Sequence, residues 1–165
     1  MGDTGGVIEA RLAELGLVLP PPPRVRAGYL PGVVTGNLLF LSGAVGTVIG
    51  DDGREMLPVA GRLGEGVTIE QGIESARLAA LNLLAQAAAV LGDLDRIRQI
   101  VKVSGHVHAA PGFQQAPRVV DGASDLLVAV FGIRRGAHAR ISLYQHEMTL
   151  DAPIEVDLIA EVTAP

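Results

Sequence analysis

No cysteine occurs among the 165 residues, which excludes disulfides and thiolate sites. Tryptophan is absent as well, and the aromatic complement is three Phe and two Tyr. Lysine is all but missing: Lys102 stands alone, and the other twelve of the 13 basic residues are Arg. No apolar run approaches the roughly 18 residues of a membrane span. The N-terminus carries Asp3 and Glu9 and no basic stretch, so no secretory signal is expected and the cytoplasm is the expected location. The net charge of −5, scattered arginines and few aromatics also disfavour a nucleic-acid binder, which would show a basic patch and stacking platforms.

What remains is a chain rich in Ala, Val and Leu, of one-domain length and globular composition. Ile8, Leu12 and Leu15 recur at helical spacing, so Val7 to Leu15 is expected to form a short helix. The run Pro20-Pro21-Pro22-Pro23 then stops it and stays extended. Residues 1–23 therefore divide off as a helical arm with a proline spacer, leaving 24–165 as the domain proper.

From Arg24 the chain is expected to run as strands. Val33 and Val34 lead to the turn Thr35-Gly36-Asn37, and Leu38 to Ser42 form a strand closed by Gly43. Asp51-Asp52-Gly53 marks a loop tip. Thr68 and Gln71 make a capping box that starts a long helix. Ile69, Ile73, Ala76, Ala80, Leu83, Ala87 and Val90 form its apolar stripe, and Gly92 ends it. Ile100 to Ala109 alternates as a strand, with Val101, Val103, Val107 and Ala109 on one face and Lys102, Ser104, His106 and His108 on the other. A second helix is expected from Pro117 to Phe131, ended by Gly132. Two strands follow. Ala137 to Tyr144 presents His138, Arg140, Ser142 and Tyr144 together, and Ile154 to Val162 presents Glu155, Asp157, Ile159 and Glu161. The economical packing is α+β: a single sheet with two helices on one face, its other face covered by further subunits.

Arg140 is the chief candidate for chemistry, because a planar guanidinium clamps a carboxylate bidentately. Its structural alternative is an ion pair with Glu155 or Asp157 on a neighbouring strand. Glu155 has the chemistry to polarise a water, or else serves as a sheet residue satisfied by its neighbours. Ser42 lacks the strand–Ser–helix elbow of a hydrolase nucleophile and reads instead as a hydrogen-bonding liner beside the Gly43 N–H. His106 and His108 share a strand face at a metal-compatible spacing, with His138 or Glu155 as conceivable third ligands, but polar-face histidines are the simpler reading. Lys102 shows no apolar nest that would make it a Schiff-base lysine.

The stretch "HARISLYQHEMTLDAPIEVDLIAEV" resembles the signature of the reactive intermediate deaminase family (RidA-like, also called endoribonuclease L-PSP-like). Arg140 falls on the signature arginine and Glu155 on the signature glutamate, fifteen residues later. "AGYLPG" resembles the segment that supplies a cleft tyrosine, here Tyr29. "FLSGAVG" resembles the strand end that lines the cleft with Ser42 and Gly43, and "QIVKVSGHVHAAPGF" the central strand. The match covers about Arg24 to Val162. "DGASDLLVAVFG" and the helical arm resemble a longer-chain branch, with Asp121 near the place of a polar cleft residue. Where the family often has Pro-Ala-Arg-Ser, this chain has His138-Ala139-Arg140-Ile141.

The resemblance implies a chorismate-mutase-like fold, a homotrimer with ligand clefts between subunits, and no metal or organic cofactor. It further implies that Arg140 holds a small metabolite's carboxylate. Glu155 then orients the water that hydrolyses an imine or enamine of the 2-aminoacrylate type to a 2-oxo acid and ammonia. A non-catalytic metabolite-binding trimer is the alternative, and an endoribonuclease the more distant one.

Overall fold

A computed structural model describes residues 6–22 and 28–163. Pro23 and Arg24, where the arm was expected to give way to the domain, lie outside the described residues. The main sheet contains strands β1 (Gly32–Thr35), β2 (Leu38–Leu41), β3 (Ala44–Val45), β4 (Ile97–His108), β5 (Ala139–Gln145) and β6 (Ile154–Val162). Its order is β1-β2-β6-β4-β5, with β3 also pairing with β6. The β4–β5 pair is parallel and the others are antiparallel. Two small ribbons, Val48–Ile49 with Glu55–Met56 and Arg62–Leu63 with Gly66–Val67, lie outside it.

Helices α2 (Ile69–Leu91) and α3 (Ala116–Gly136) pack on one face of this sheet, giving the α+β layering expected from the sequence. The α2 start follows the capping box: Thr68 Oγ1 accepts from Gln71 N at 3.2 Å, and Gln71 Oε1 accepts from Thr68 N at 2.9 Å. Ala76, Ala80, Leu83 and Ala87 of the stripe are buried. Because α2 and α3 present small residues, they approach so closely that a Cβ on Gly122 would strike the Ile73 carbonyl. The helical course of α3 is interrupted at Gly132, where φ is 72°. A non-glycine residue would be strained there.

The strand β6 shows the division of the sheet most plainly. Ile154, Val156, Leu158, Ala160 and Val162 are buried under the helices, whereas Glu155, Asp157, Ile159 and Glu161 on the opposite face are only half-buried. That open face continues through exposed Val33, Phe40, Ile141 and Leu143.

Two expectations for β4 are corrected. Val101 was expected to share a face with Val103 and Val107, which are buried, but it is 38% exposed. A bulge opposite Ile159 and Ala160 leaves it without a partner and turns Ile100 inward instead. His108 was expected on the polar face with His106 and shares that side, yet it is only 3% exposed. Arg62 Nε donates to its Nε2 at 3.1 Å, and the turn containing Asp151 covers it from the other side.

The arm helix α1 (Val7–Glu14) docks on the domain. Ile8 and Leu12 enter the core, and the Asp95 carboxylate caps the helix by accepting from Val7 N at 2.6 Å and Ile8 N at 3.0 Å. Arg11 Nε donates to the Ala129 carbonyl of α3 at 3.0 Å. Among the described residues, no helix is long and apolar enough to cross a membrane.

Candidate functional site

The residues singled out in the sequence fall into two groups, separated by the sheet. The first surrounds Arg140. In the parallel β4–β5 ladder Arg140 is level with Val103, a residue buried under the helices, so its side chain leaves the helix-bearing face at the sheet edge. There Nη1 donates to Asp121 Oδ1 at 2.7 Å and to Ser124 Oγ at 3.1 Å, both on α3. The pairing with Glu155 or Asp157 weighed from the sequence does not occur, because β4 lies between β5 and β6. Among the described residues, Nε and Nη2 of Arg140 have no hydrogen-bond partner, so three donors of the fork remain available. Ser124 Oγ also lies 3.0 Å from His138 Nε2.

The second group is on the open face. Glu155 of β6 is level with His106 of β4 on one side and Val45 of β3 on the other. An open cavity of about 640 Å³ is lined there by Gly43, His106, Gln145, Glu147, Glu155 and Asp157, among others. Arg140 does not line it. The Glu155 carboxyl lies over Gly43 so closely that any Cβ at that position would collide with it. Among the described residues, Glu155 has no hydrogen-bond partner. Gln145 Nε2 donates to His106 Nδ1 at 3.0 Å, which leaves Nε2–H of a neutral ring facing Asp157 at 3.4 Å.

The wall beside Gly43 is braced from within. Asn82 of α2 donates to the carbonyls of Val45 at 2.7 Å and Thr47 at 3.1 Å, holding the strand that flanks Glu155. The buried Gln86 amide nitrogen donates to the carbonyls of Pro31 and Ser42 at 3.0 Å each. Ser42 Oγ donates to the Leu30 carbonyl at 2.6 Å, tying the segment after Tyr29 to the end of β2. The hydroxyl proton is therefore committed, and only the Ser42 Oγ lone pairs remain for a further hydrogen bond. Tyr29 itself is exposed.

The histidines considered as metal ligands are kept apart. His106 engages Gln145 and Asp157, His108 accepts from Arg62 through Nε2 and faces Asp151 through Nδ1, and His138 engages α3 on the helix-bearing face. No group of three His, Asp or Glu among the described residues is arranged to hold a metal ion. Sequence reasoning missed Ser124. Its signal was the spacing Asp121-x-x-Ser124, which puts both side chains on one face of a helix.

The sequence profile of the family described as "YjgF/chorismate_mutase-like, putative endoribonuclease" matches residues 9–162. Protein TCP17 of Trypanosoma cruzi is 36% identical over 157 residues, covering 95% of each chain. The crystal structure of Atu1372 from Agrobacterium tumefaciens, a protein of unknown function, is 37% identical with a TM-score of 0.84, over 95% of this chain and 93% of that one. A "putative endoribonuclease" from Shewanella oneidensis is 34% identical with a TM-score of 0.86, over 95% of this chain and all of its own.

Proposed function

This chain belongs to the YjgF/chorismate-mutase-like family, and on that premise we propose that it hydrolyses small carboxylate-bearing imines and enamines to 2-oxo acids and ammonia. The observation that carries this reading is the Arg140 fork, tied to α3 through Nη1, with Nε and Nη2 unpaired among the described residues. Two parallel N–H donors on a rigid plane match a carboxylate.

Within one copy, Arg140 and Glu155 stand on opposite faces of the sheet. A cleft holding both is therefore built between copies, Arg140 from one and Glu155 with Gly43 from the next. The exposed apolar residues on the open face supply the contact, and a closed homotrimer accounts for their burial. In that cleft the carboxylate rests on Arg140, an enamine first tautomerises to its imine, and water attacks the carbon of the protonated imine as Glu155 accepts the water's proton. Glu155 returns that proton to the carbinolamine nitrogen, and as the C–N bond breaks and ammonia leaves, the same carboxylate takes the hydroxyl proton and the carbonyl forms.

The cavity walls speak against RNA as the substrate. Glu147, Glu155 and Asp157 line the same space, and one Arg140 per cleft can meet a single carboxylate but not a phosphate backbone. Ammonia release from enzymatically generated 2-aminoacrylate tests the reading. Turnover by the wild type, lost in Arg140→Ala and Glu155→Gln, supports it. Binding of 2-oxo acids without turnover would replace it with a metabolite-binding trimer, and RNA cleavage abolished by Arg140→Ala would replace it with a nuclease.

A further inference from the structure

We infer that His138 is a positioning residue, which acts through the Ser124 hydroxyl to hold the Arg140 guanidinium in a single plane. This rests on the reading of Arg140 as a carboxylate clamp. The hydrogen bonds run in one direction. His138 Nδ1 is 2.6 Å from the Gly136 carbonyl, and a carbonyl oxygen only accepts, so Nδ1 carries the ring proton. In the neutral ring Nε2 is then an acceptor, and Ser124 Oγ donates to it across 3.0 Å. With its proton committed, Ser124 turns lone pairs toward Arg140 Nη1 at 3.1 Å. Asp121 Oδ1 takes the second Nη1 proton at 2.7 Å.

Two anchors on one nitrogen fix a plane, whereas one anchor is a pivot. Without His138 the Ser124 hydroxyl rotates freely, and the guanidinium is left with a half-exposed ion pair to Asp121. Such pairs hold geometry poorly. A bidentate clamp depends on orientation as well as charge, so the lost anchor weakens carboxylate binding although Arg140 itself is intact.

The backbone that sets His138 is itself constrained. After the interruption at Gly132, α3 continues to Gly136, which is buried against the Leu127 and Val128 backbone with no room for a Cβ. The Gly136 carbonyl therefore has a fixed place from which to choose the His138 tautomer. A Ser–His pair also invites comparison with a nucleophile and its base. Here the serine lone pairs face a guanidinium, and Ser124 does not line the cavity that contains Glu155.

The test combines calorimetry with pyruvate and nitrogen-15 spectroscopy of the arginine guanidinium, on wild type, His138→Ala, His138→Gln, Ser124→Ala and Arg140→Ala. His138→Ala and Ser124→Ala should each weaken pyruvate binding about tenfold, the low end for losing one hydrogen bond to a charged group. The double variant should be no worse than either single one, since both break the same chain of contacts. His138→Gln offers an amide oxygen to the serine hydroxyl and should recover most of the affinity. In the ligand-free protein the two Arg140 Nη signals should be resolved in wild type and His138→Gln, and averaged in His138→Ala and Ser124→Ala. Wild-type affinity and resolved signals in His138→Ala, with binding lost in Arg140→Ala, would overturn the inference while leaving the clamp standing. Unchanged pyruvate binding in Arg140→Ala would overturn the clamp, and the ligand-free spectra would still decide what His138 does. Should His138→Ala not fold, Ser124→Ala and His138→Gln carry the same comparison.

Discussion

Arg140 and Glu155 project from opposite faces of one sheet, with the strand Ile97–His108 running between their own strands. The proposed site needs both and is therefore proposed to be shared between copies of the chain. Arg140→Ala and Glu155→Gln should each abolish turnover alone. Mixed by unfolding and reassembly in equal amounts, they should regain about a quarter of wild-type activity, because that share of inter-copy clefts draws both intact residues from different partners. An ammonia-release assay on the mixture reads this out, and no recovery at all would place the two residues in a site within one copy.

Arg140→Ala should weaken 2-oxo acid binding at least about tenfold, since each hydrogen bond to a charged group contributes about 1.5–3 kcal/mol. Arg140→Lys keeps the charge without the planar fork and should restore only part of the loss. The melting temperature should hardly move in either, because the ion pair with Asp121 is partly exposed. Calorimetry beside melting curves separates these effects. A large drop in stability at wild-type affinity would mark Arg140 as structural.

Gly43→Ala tests whether the placement of Glu155 matters. The added methyl group meets the flexible end of Glu155 rather than backbone, so stability should fall by less than about 1 kcal/mol as the carboxyl swings aside. Turnover should fall by about tenfold or more, as misplacement of a reacting group does. Full activity in a folded Gly43→Ala protein would remove Glu155 from the chemistry.

Light scattering should give about three times the 17.1 kDa chain mass. Phe40→Glu and Ile141→Glu each put a charge on the open face and should shift the protein toward monomer with loss of activity. A wild-type monomer that turns over substrate would dispose of a shared cleft.

The arm should contribute to stability without being required for the fold. Asp95→Ala removes the cap of α1 and should lower stability by about 1 kcal/mol, or roughly 2–4 °C at this chain size. Deleting residues 1–19 also uncovers the neighbours of Ile8 and Leu12, whose burial is worth about 1.5–3 kcal/mol each. That deletion should cost more, yet keep the sheet's circular dichroism. An unchanged melting temperature after deletion would mean that the arm does not dock in solution.

Local signals carried most of the architecture. Thr68, Gln71 and Gly92 bound the long helix through bonds made within a few residues, and alternation marked β6 along its whole length. What escaped the sequence depended on strand order. Val101 turns outward only because its partner strand forces a bulge, and His108 is buried only because Arg62 and Asp151 close over it. Arg140 and Glu155 were legible as residues, but nothing local says that β4 separates their strands. Ser124 gained meaning only when α3 came to rest beside β5.

The strand order also has a consequence for how the protein is made. β6 lies between β2 and β4, yet it is the last strand of the sheet to leave the ribosome. Until it arrives, β2 and β4 cannot join, and each offers a bare edge to neighbouring nascent chains. The apolar side chains meant for α2 and α3 stay partly uncovered over the same interval. Synthesis must therefore run nearly to Val162 before the cooperative core can close. A nonsense mutation even about ten codons earlier should yield an aggregating product rather than a shortened folded chain.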